Sequence, residues 1–133
     1  MKKPYLSAEE RKALIERYLG QKVHIEIDRP IGYVHHKSEY DLVYPINYGY
    51  IPGVLGGDAE ELDVYLLGVA TPVREYDVEI IGAVWRRDDV EDKLIGAPVG
   101  MRFTQREMEE AVRFQEQHHD SWVQALSDAD ISP

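Results

Sequence analysis

Between Val23 and Ile95 the strand-like segments follow one another with hardly enough chain between them for parallel crossovers. Parallel neighbours joined in sequence need a connection of about a dozen residues or more, usually a helix, whereas antiparallel neighbours need only a turn. That spacing favours a mainly antiparallel sheet or small barrel over a doubly wound fold. Val23-His24-Ile25-Glu26-Ile27-Asp28 alternates apolar and polar with period two, so Glu26 falls opposite the core face. Arg29-Pro30-Ile31-Gly32 breaks that strand, and His35-His36-Lys37-Ser38-Glu39 reads as a loop or a poorly patterned hairpin. Tyr44 to Ile51 is aromatic but interrupted by Pro45 and Gly49, which predicts a bent strand. Pro52-Gly53 and Gly56-Gly57 read as turns, Leu62 to Gly68 resumes a strand, and Leu94-Ile95 opens another. Val78 to Trp85 carries a single charge, Glu79, and is predicted to be a central strand.

Helices flank this region. Ser7 followed by Glu10, and Thr104 followed by Glu107, are capping-box patterns. The first opens a short helix with Leu14 and Tyr18 on its apolar side and Gly20 as its stop. The second opens a helix in which Met108, Ala111, Val112, Gln115, His119, Trp122 and Leu126 approximate a three-to-four repeat. The 133 residues therefore read as one domain, 1–133. Its parts are an N-terminal helix over about 7–19, a barrel over about 22–98 and a C-terminal helix over about 104–126.

The charge narrows the partners. Asp and Glu number 25 against 15 Lys and Arg, a formal charge of -10. Such a field disfavours nucleic acid and anionic membranes, and favours cations. There is no cysteine, hence no thiolate metal site or cysteine nucleophile. No apolar run suggests a signal peptide or a membrane span, so a cytoplasmic protein is the expectation. The apolar sides of the terminal helices would permit a homo-oligomer or equally packing on the barrel.

Two acidic groups stand out. Asp58, Glu60, Glu61 and Asp63 follow the glycine turn after Tyr44, Asn47, Tyr48 and Tyr50; Asp88, Asp89, Glu91 and Asp92 occupy the next strongly charged turn. An acidic turn taken alone is most often a solvated face. Here Arg29, Lys37, Arg86, Arg87, Lys93, Tyr44 and Tyr48 stand beside the acids or turns. Carboxylates that hold hard divalent ions, with Lys, Arg and Tyr that hold oxygens, are the parts needed for phosphoryl transfer to water. If the two turns converge, Mg²⁺ is the expected cofactor, with Mn²⁺ as substitute.

Tyr44-Pro45-Ile46-Asn47-Tyr48-Gly49-Tyr50-Ile51, then Gly57-Asp58-Ala59-Glu60-Glu61-Leu62-Asp63-Val64, with Asp88 and Glu91-Asp92-Lys93-Leu94 in order, resembles the soluble inorganic pyrophosphatase family. The resemblance covers roughly Val23 to Pro98 and continues more weakly into the last helix. It implies an oligonucleotide/oligosaccharide-binding-like (OB-like) β-barrel, predominantly antiparallel, with flanking helices. It also implies magnesium-dependent hydrolysis of pyrophosphate to two phosphates. Asp58, Glu60, Asp63 and Asp88 fall where the family places metal-binding carboxylates. Glu91 takes another such position if Lys93 is the family lysine; a shifted gap gives it to Asp92. Glu26 matches an upstream acidic residue and Tyr48 the active-site tyrosine.

The implied mechanism has Asp58, Asp63 and Asp88 holding two or more ions and Glu60 assisting the attacking water. Arg29, Lys93 and Tyr48 take phosphate oxygens. Glu60 stands where the family has Asp and Glu61 where it has Pro, and the segment from Glu26 to Tyr44 is shorter than in the family. Arg29, Lys37, His35 and Arg86 are the candidates to replace its basic groups, and a tyrosine–lysine pair near the barrel's end falls on His118 and His119. The shortened hairpin leaves open another phosphoanhydride as substrate, and the variant residues a non-catalytic metal- or phosphate-binding relative.

Overall fold

A computed structural model describes residues 5–126. The order of elements is α1 (Ala8–Tyr18), β1 (Lys22–Arg29), β2 (Val34–His36), β3 (Asp41–Val43), β4 (Asn47–Leu55), β5 (Glu61–Leu66), β6 (Glu75–Arg86), β7 (Lys93–Pro98), α2 (Gln105–Glu116) and β8 (Ser121–Ala125). Both capping boxes are formed: Ser7 and Glu10, and Thr104 and Glu107, each exchange side-chain and backbone hydrogen bonds. No helix among the described residues is long and apolar enough to cross a membrane.

Five strands close into a barrel in the order β1-β4-β5-β7-β6, with β6 returning to β1. Every pairing is antiparallel except β5 with β7, which are parallel because β6 carries the chain back between them. This is the mainly antiparallel OB-like barrel expected from the short connections. The stretch His35 to Glu39, expected to be a loop or a poorly patterned hairpin, belongs to a small hairpin of its own, β2 with β3, outside the barrel sheet.

The C-terminal helix is shorter than its periodicity predicts. α2 ends at Glu116, and Trp122 and Val123 belong to β8, which pairs with β6 through Trp85↔Trp122 and Val84↔Val123. The outer edge of β6 would otherwise leave its backbone groups unpaired, and pairing them outweighs extending an amphipathic helix by nearly three turns. Likewise β4 runs through Pro52 and Gly53, with a register shift between Tyr50 and Leu55, where turns were predicted.

The barrel wall is apolar on both faces. Along β5, Leu62, Val64 and Leu66 join one core with Ile15 of α1, while Tyr65 and the following Leu67 join the other, with Met108 and Val112 of α2. Period two therefore puts Asp63 on the same face as Tyr65, toward α2. That face carries the site.

Candidate active site

Two cavities share a wall. The first, about 310 Å³, is lined by Arg29, His35, Lys37, Arg86, Lys93 and His119 together with Asp28, Tyr48, Asp63, Asp89, Glu91 and Gln115. The second, about 440 Å³, is lined by Asp28, Tyr50, Asp58, Glu60, Glu61, Asp63 and Glu91. Asp28, Asp63 and Glu91 belong to both. One side of this wall is thus rich in cations and the other is almost purely carboxylate, so a phosphate suits the first and a hard cation the second.

Lys93 fixes the shared wall. It is 1% exposed, and its ammonium donates to Tyr48 Oη at 2.5 Å, Asp63 Oδ2 at 3.0 Å and Glu91 Oε2 at 3.0 Å. All three donors are used on one phenol and two carboxylates from two different strands and a turn. Burial first, then the charges of Asp63 and Glu91 among its neighbours, push the Tyr48 phenol well above its usual range, so it keeps its proton.

Arg29 reaches the basic cavity because β1 is irregular. The register on β4 shifts between Ile27 and Arg29, leaving Asp28 unpaired. A bulge of this kind lets two consecutive side chains, Asp28 and Arg29, line one cavity instead of opposite faces. The Arg29 guanidinium donates to Tyr44 Oη at 2.5 Å and lies 5.4 to 5.8 Å from the ring centres of Tyr33, Tyr44 and Tyr48. Arg86 is held at the end of β6 by Glu116 of α2, with contacts of 2.8 and 3.1 Å, and comes within 3.7 Å of Asp89 and 3.8 Å of Glu91. Burial opposes its charge, but bonding to Glu116 outweighs that and leaves its proton affinity raised.

The acidic cavity is built on the tight turn before β5. Ala59 adopts a left-handed backbone, φ 64°, and Asp58 Oδ1 accepts from Glu60 N at 3.1 Å. Glu60 lines the mouth. Burial, reinforced by the negative charges of Glu91 and Asp63, raises the Asp58 carboxyl; burial and the charges of Asp63 and Glu61 do the same for Asp28. Two carboxyls with raised proton affinity beside four more are a donor set of hard oxygens short of positive charge. In chemistry it fits a divalent ion. In position it is not yet convergent: among the described residues no three carboxylate or imidazole groups stand close enough to hold one ion.

Four of the residues selected from sequence lie outside both linings. Asp92 is buried and grips the Arg11 guanidinium at 2.7 and 2.8 Å while accepting from Arg86 N at 3.0 Å, so it ties α1 to the charged turn. Of the alternatives Glu91 and Asp92, only Glu91 reaches the cavities. Asp88 faces His119, 3.3 Å from its Nδ1. Glu26 accepts from Tyr50 Oη at 2.7 Å, which pushes that phenol up to about 12. His118 stacks on Tyr40 of the hairpin, ring centres 4.5 Å apart. His119, assigned from periodicity to the last helix, follows the end of α2 and lines the basic cavity.

Asp28 and Gln115 were not singled out from the sequence as site residues, and Asp89 only as a member of the second acidic turn. Asp28 continued a period-two strand, and only the Arg29-Pro30 break beside it hinted at an irregular end. Gln115 counted as one position of a helix repeat, although a polar residue on an otherwise apolar stripe is itself a signal.

A family model described as inorganic pyrophosphatase matches residues 13–126. No curated protein matches the chain. Among solved structures, the inorganic pyrophosphatase from Ehrlichia chaffeensis is similar at 16% identity, with 84% of this chain and 90% of that one covered and a TM-score of 0.61. The enzyme from Helicobacter pylori is similar at 14% identity, 86% and 89% coverage and TM-score 0.55. That from Neisseria gonorrhoeae stands at 20%, 81% and 82%, and 0.51. At these identities the structural likeness establishes the fold.

Proposed function

The chain belongs to the inorganic pyrophosphatase family, and on that premise we propose that it hydrolyses pyrophosphate to two phosphates, with Mg²⁺ in the acidic cavity and the diphosphate in the basic one. The observation that carries this reading is the pairing of a cationic and a carboxylate-lined cavity across the wall of Asp28, Asp63 and Glu91.

Asp58, Asp63 and Glu91, with Asp28 beside them, are the residues that would hold the ion. A bound Mg²⁺, or Mn²⁺ in its place, would supply a water of lowered pKa and charge for phosphoryl oxygens. The chain's own groups do the rest. Glu60, at the mouth of the acidic cavity, accepts the proton of the attacking water. Lys93 keeps Asp63, Glu91 and Tyr48 in one arrangement throughout, so none of them must reorganise as charge develops. Arg29, Lys37 and Arg86, with His119 in the same lining, face the cavity where the phosphoryl oxygens sit and neutralise the charge of the departing phosphate.

The test is phosphate release from pyrophosphate across a Mg²⁺ titration, repeated with Mn²⁺ and with nucleoside and sugar diphosphates. Turnover of pyrophosphate that requires the metal, and its loss in a folded Asp63→Asn variant, is the expected result. A folded protein that releases no phosphate under any of these conditions overturns the reading. A non-catalytic metal- or phosphate-binding relative is the competing reading, and the same titration separates the two.

A further inference from the structure

The two guanidiniums of the basic cavity are joined beneath it by one continuous hydrogen-bond chain. Arg29 donates to Tyr44 Oη at 2.5 Å, and Tyr44 donates in turn to Gln115 Oε1 at 2.7 Å. The amide of Gln115 donates to Tyr65 Oη at 2.9 Å, Tyr65 donates to Glu116 Oε2 at 2.5 Å, and Glu116 accepts from Arg86. Tyr44 and Tyr65 are fully buried, and Gln115 and Glu116 nearly so.

Two properties make the chain more than a set of satisfied polar atoms. Gln115 must present its oxygen to Tyr44 and its nitrogen to Tyr65, so a single amide orientation serves both tyrosines. The bonds from Arg29 onward donate in one direction and end on the carboxylate that holds Arg86, and such bonds strengthen one another in a low-dielectric interior. Gln115 and Glu116 are adjacent residues at the end of α2, and Phe114 packs on both tyrosine rings at 5.0 and 5.9 Å. The last turn of this helix therefore sets the arginines on β1 and β6 together.

We propose that Gln115 and Glu116 are positioning residues which, through Tyr44 and Tyr65, hold Arg29 and Arg86 as one preset pair for the terminal oxygens of a diphosphate. This rests on reading the basic cavity as the diphosphate site. Neither α2 residue needs to touch the substrate; their effect is on where the guanidiniums stand before it arrives, which lowers the ordering cost of binding.

The experiment is a double-mutant cycle on Tyr44→Phe and Tyr65→Phe, read as the affinity for imidodiphosphate by calorimetry with Mg²⁺ present. Each single change removes one hydroxyl and keeps the ring. Each is expected to weaken binding by roughly fivefold or more, and the pair to depart from the product of the single effects by at least about threefold. The same cycle in a Gln115→Leu background is expected to show no such coupling. Val112→Ala, which loosens the same helix from the same core while leaving every hydrogen-bonding group of the chain in place, is the structural control and keeps wild-type affinity.

Independent single effects, equal loss in Val112→Ala, or a wild-type protein that does not bind imidodiphosphate would each overturn the proposal. A wild type that binds imidodiphosphate yet releases no phosphate from pyrophosphate would instead overturn the hydrolase reading and leave the cycle to decide this one.

Discussion

Glu60 and two carboxyls of the same cavity, Asp58 and Asp28, carry the residue-scale consequences. By the sequence resemblance, Glu60 stands in the place of an aspartate and has one methylene more. In Glu60→Gln, which keeps length and removes basicity, kcat is expected to fall by about a hundredfold or more with little change in KM, measured by phosphate release. Asp58 and Asp28 have raised proton affinities caused chiefly by burial and then by neighbouring negative charge. A cation binds their ionised forms, so its entry releases protons and its affinity falls as pH drops. Calorimetry of Mg²⁺ binding between pH 5 and 8, in buffers of different ionisation enthalpy, is expected to show both effects, and Asp58→Asn to diminish the proton release.

At the scale of elements, the irregularities matter more than the regular strands. Had β1 kept strict alternation, Asp28 and Arg29 would point to opposite faces; the shift between Ile27 and Arg29 gives the basic cavity one of its two guanidiniums. The closeness of β1 to β4 there also explains Gly49, since a Cβ at that position would stand 1.8 Å from the Glu26 carbonyl oxygen. Gly49→Ala is expected to destabilise the protein by about 3 kcal/mol or more in urea unfolding.

The end of α2 is anchored by a carboxylate as well as by apolar contact. Burial would raise Glu116, but hydrogen bonds from Arg86 and Tyr65 outweigh it and hold its carboxyl below the usual range. A carboxyl depressed on folding contributes stability that is present above its unfolded value, near 4.5, and lost as pH falls through its folded one. Melting temperature should therefore decline on acidification below about 4.5, and Glu116→Gln should be less stable at neutral pH but flatter in its acid dependence.

For the whole molecule, the formal charge of -10 and the clustering of carboxylates around one cavity imply that the proposed cation binding would stabilise the fold. At a hundredfold excess of Mg²⁺ over its dissociation constant the gain is about 2.7 kcal/mol. The melting temperature is expected to climb with Mg²⁺ and to do so far less in Asp63→Asn, a measurement independent of turnover.

The barrel was legible in the chain because short connections leave few topologies, and both helix starts because capping boxes are local chemistry that needs no tertiary partner. The acidic turn before β5 was legible for the same reason. What tertiary structure alone decided is which charges face one another. Glu91 enters the site and the adjacent Asp92 leaves it for Arg11, more than eighty residues away in sequence. Trp122 sits on a strand because β6 offered it an unpaired edge. Arg29 and Arg86 are tied together through Gln115 and Glu116 because α2 folds back over the barrel face that holds Tyr44 and Tyr65. Local patterns fix period, caps and breaks; the direction of a charged side chain is fixed by the partner that desolvation obliges it to find, and that partner is rarely close in sequence.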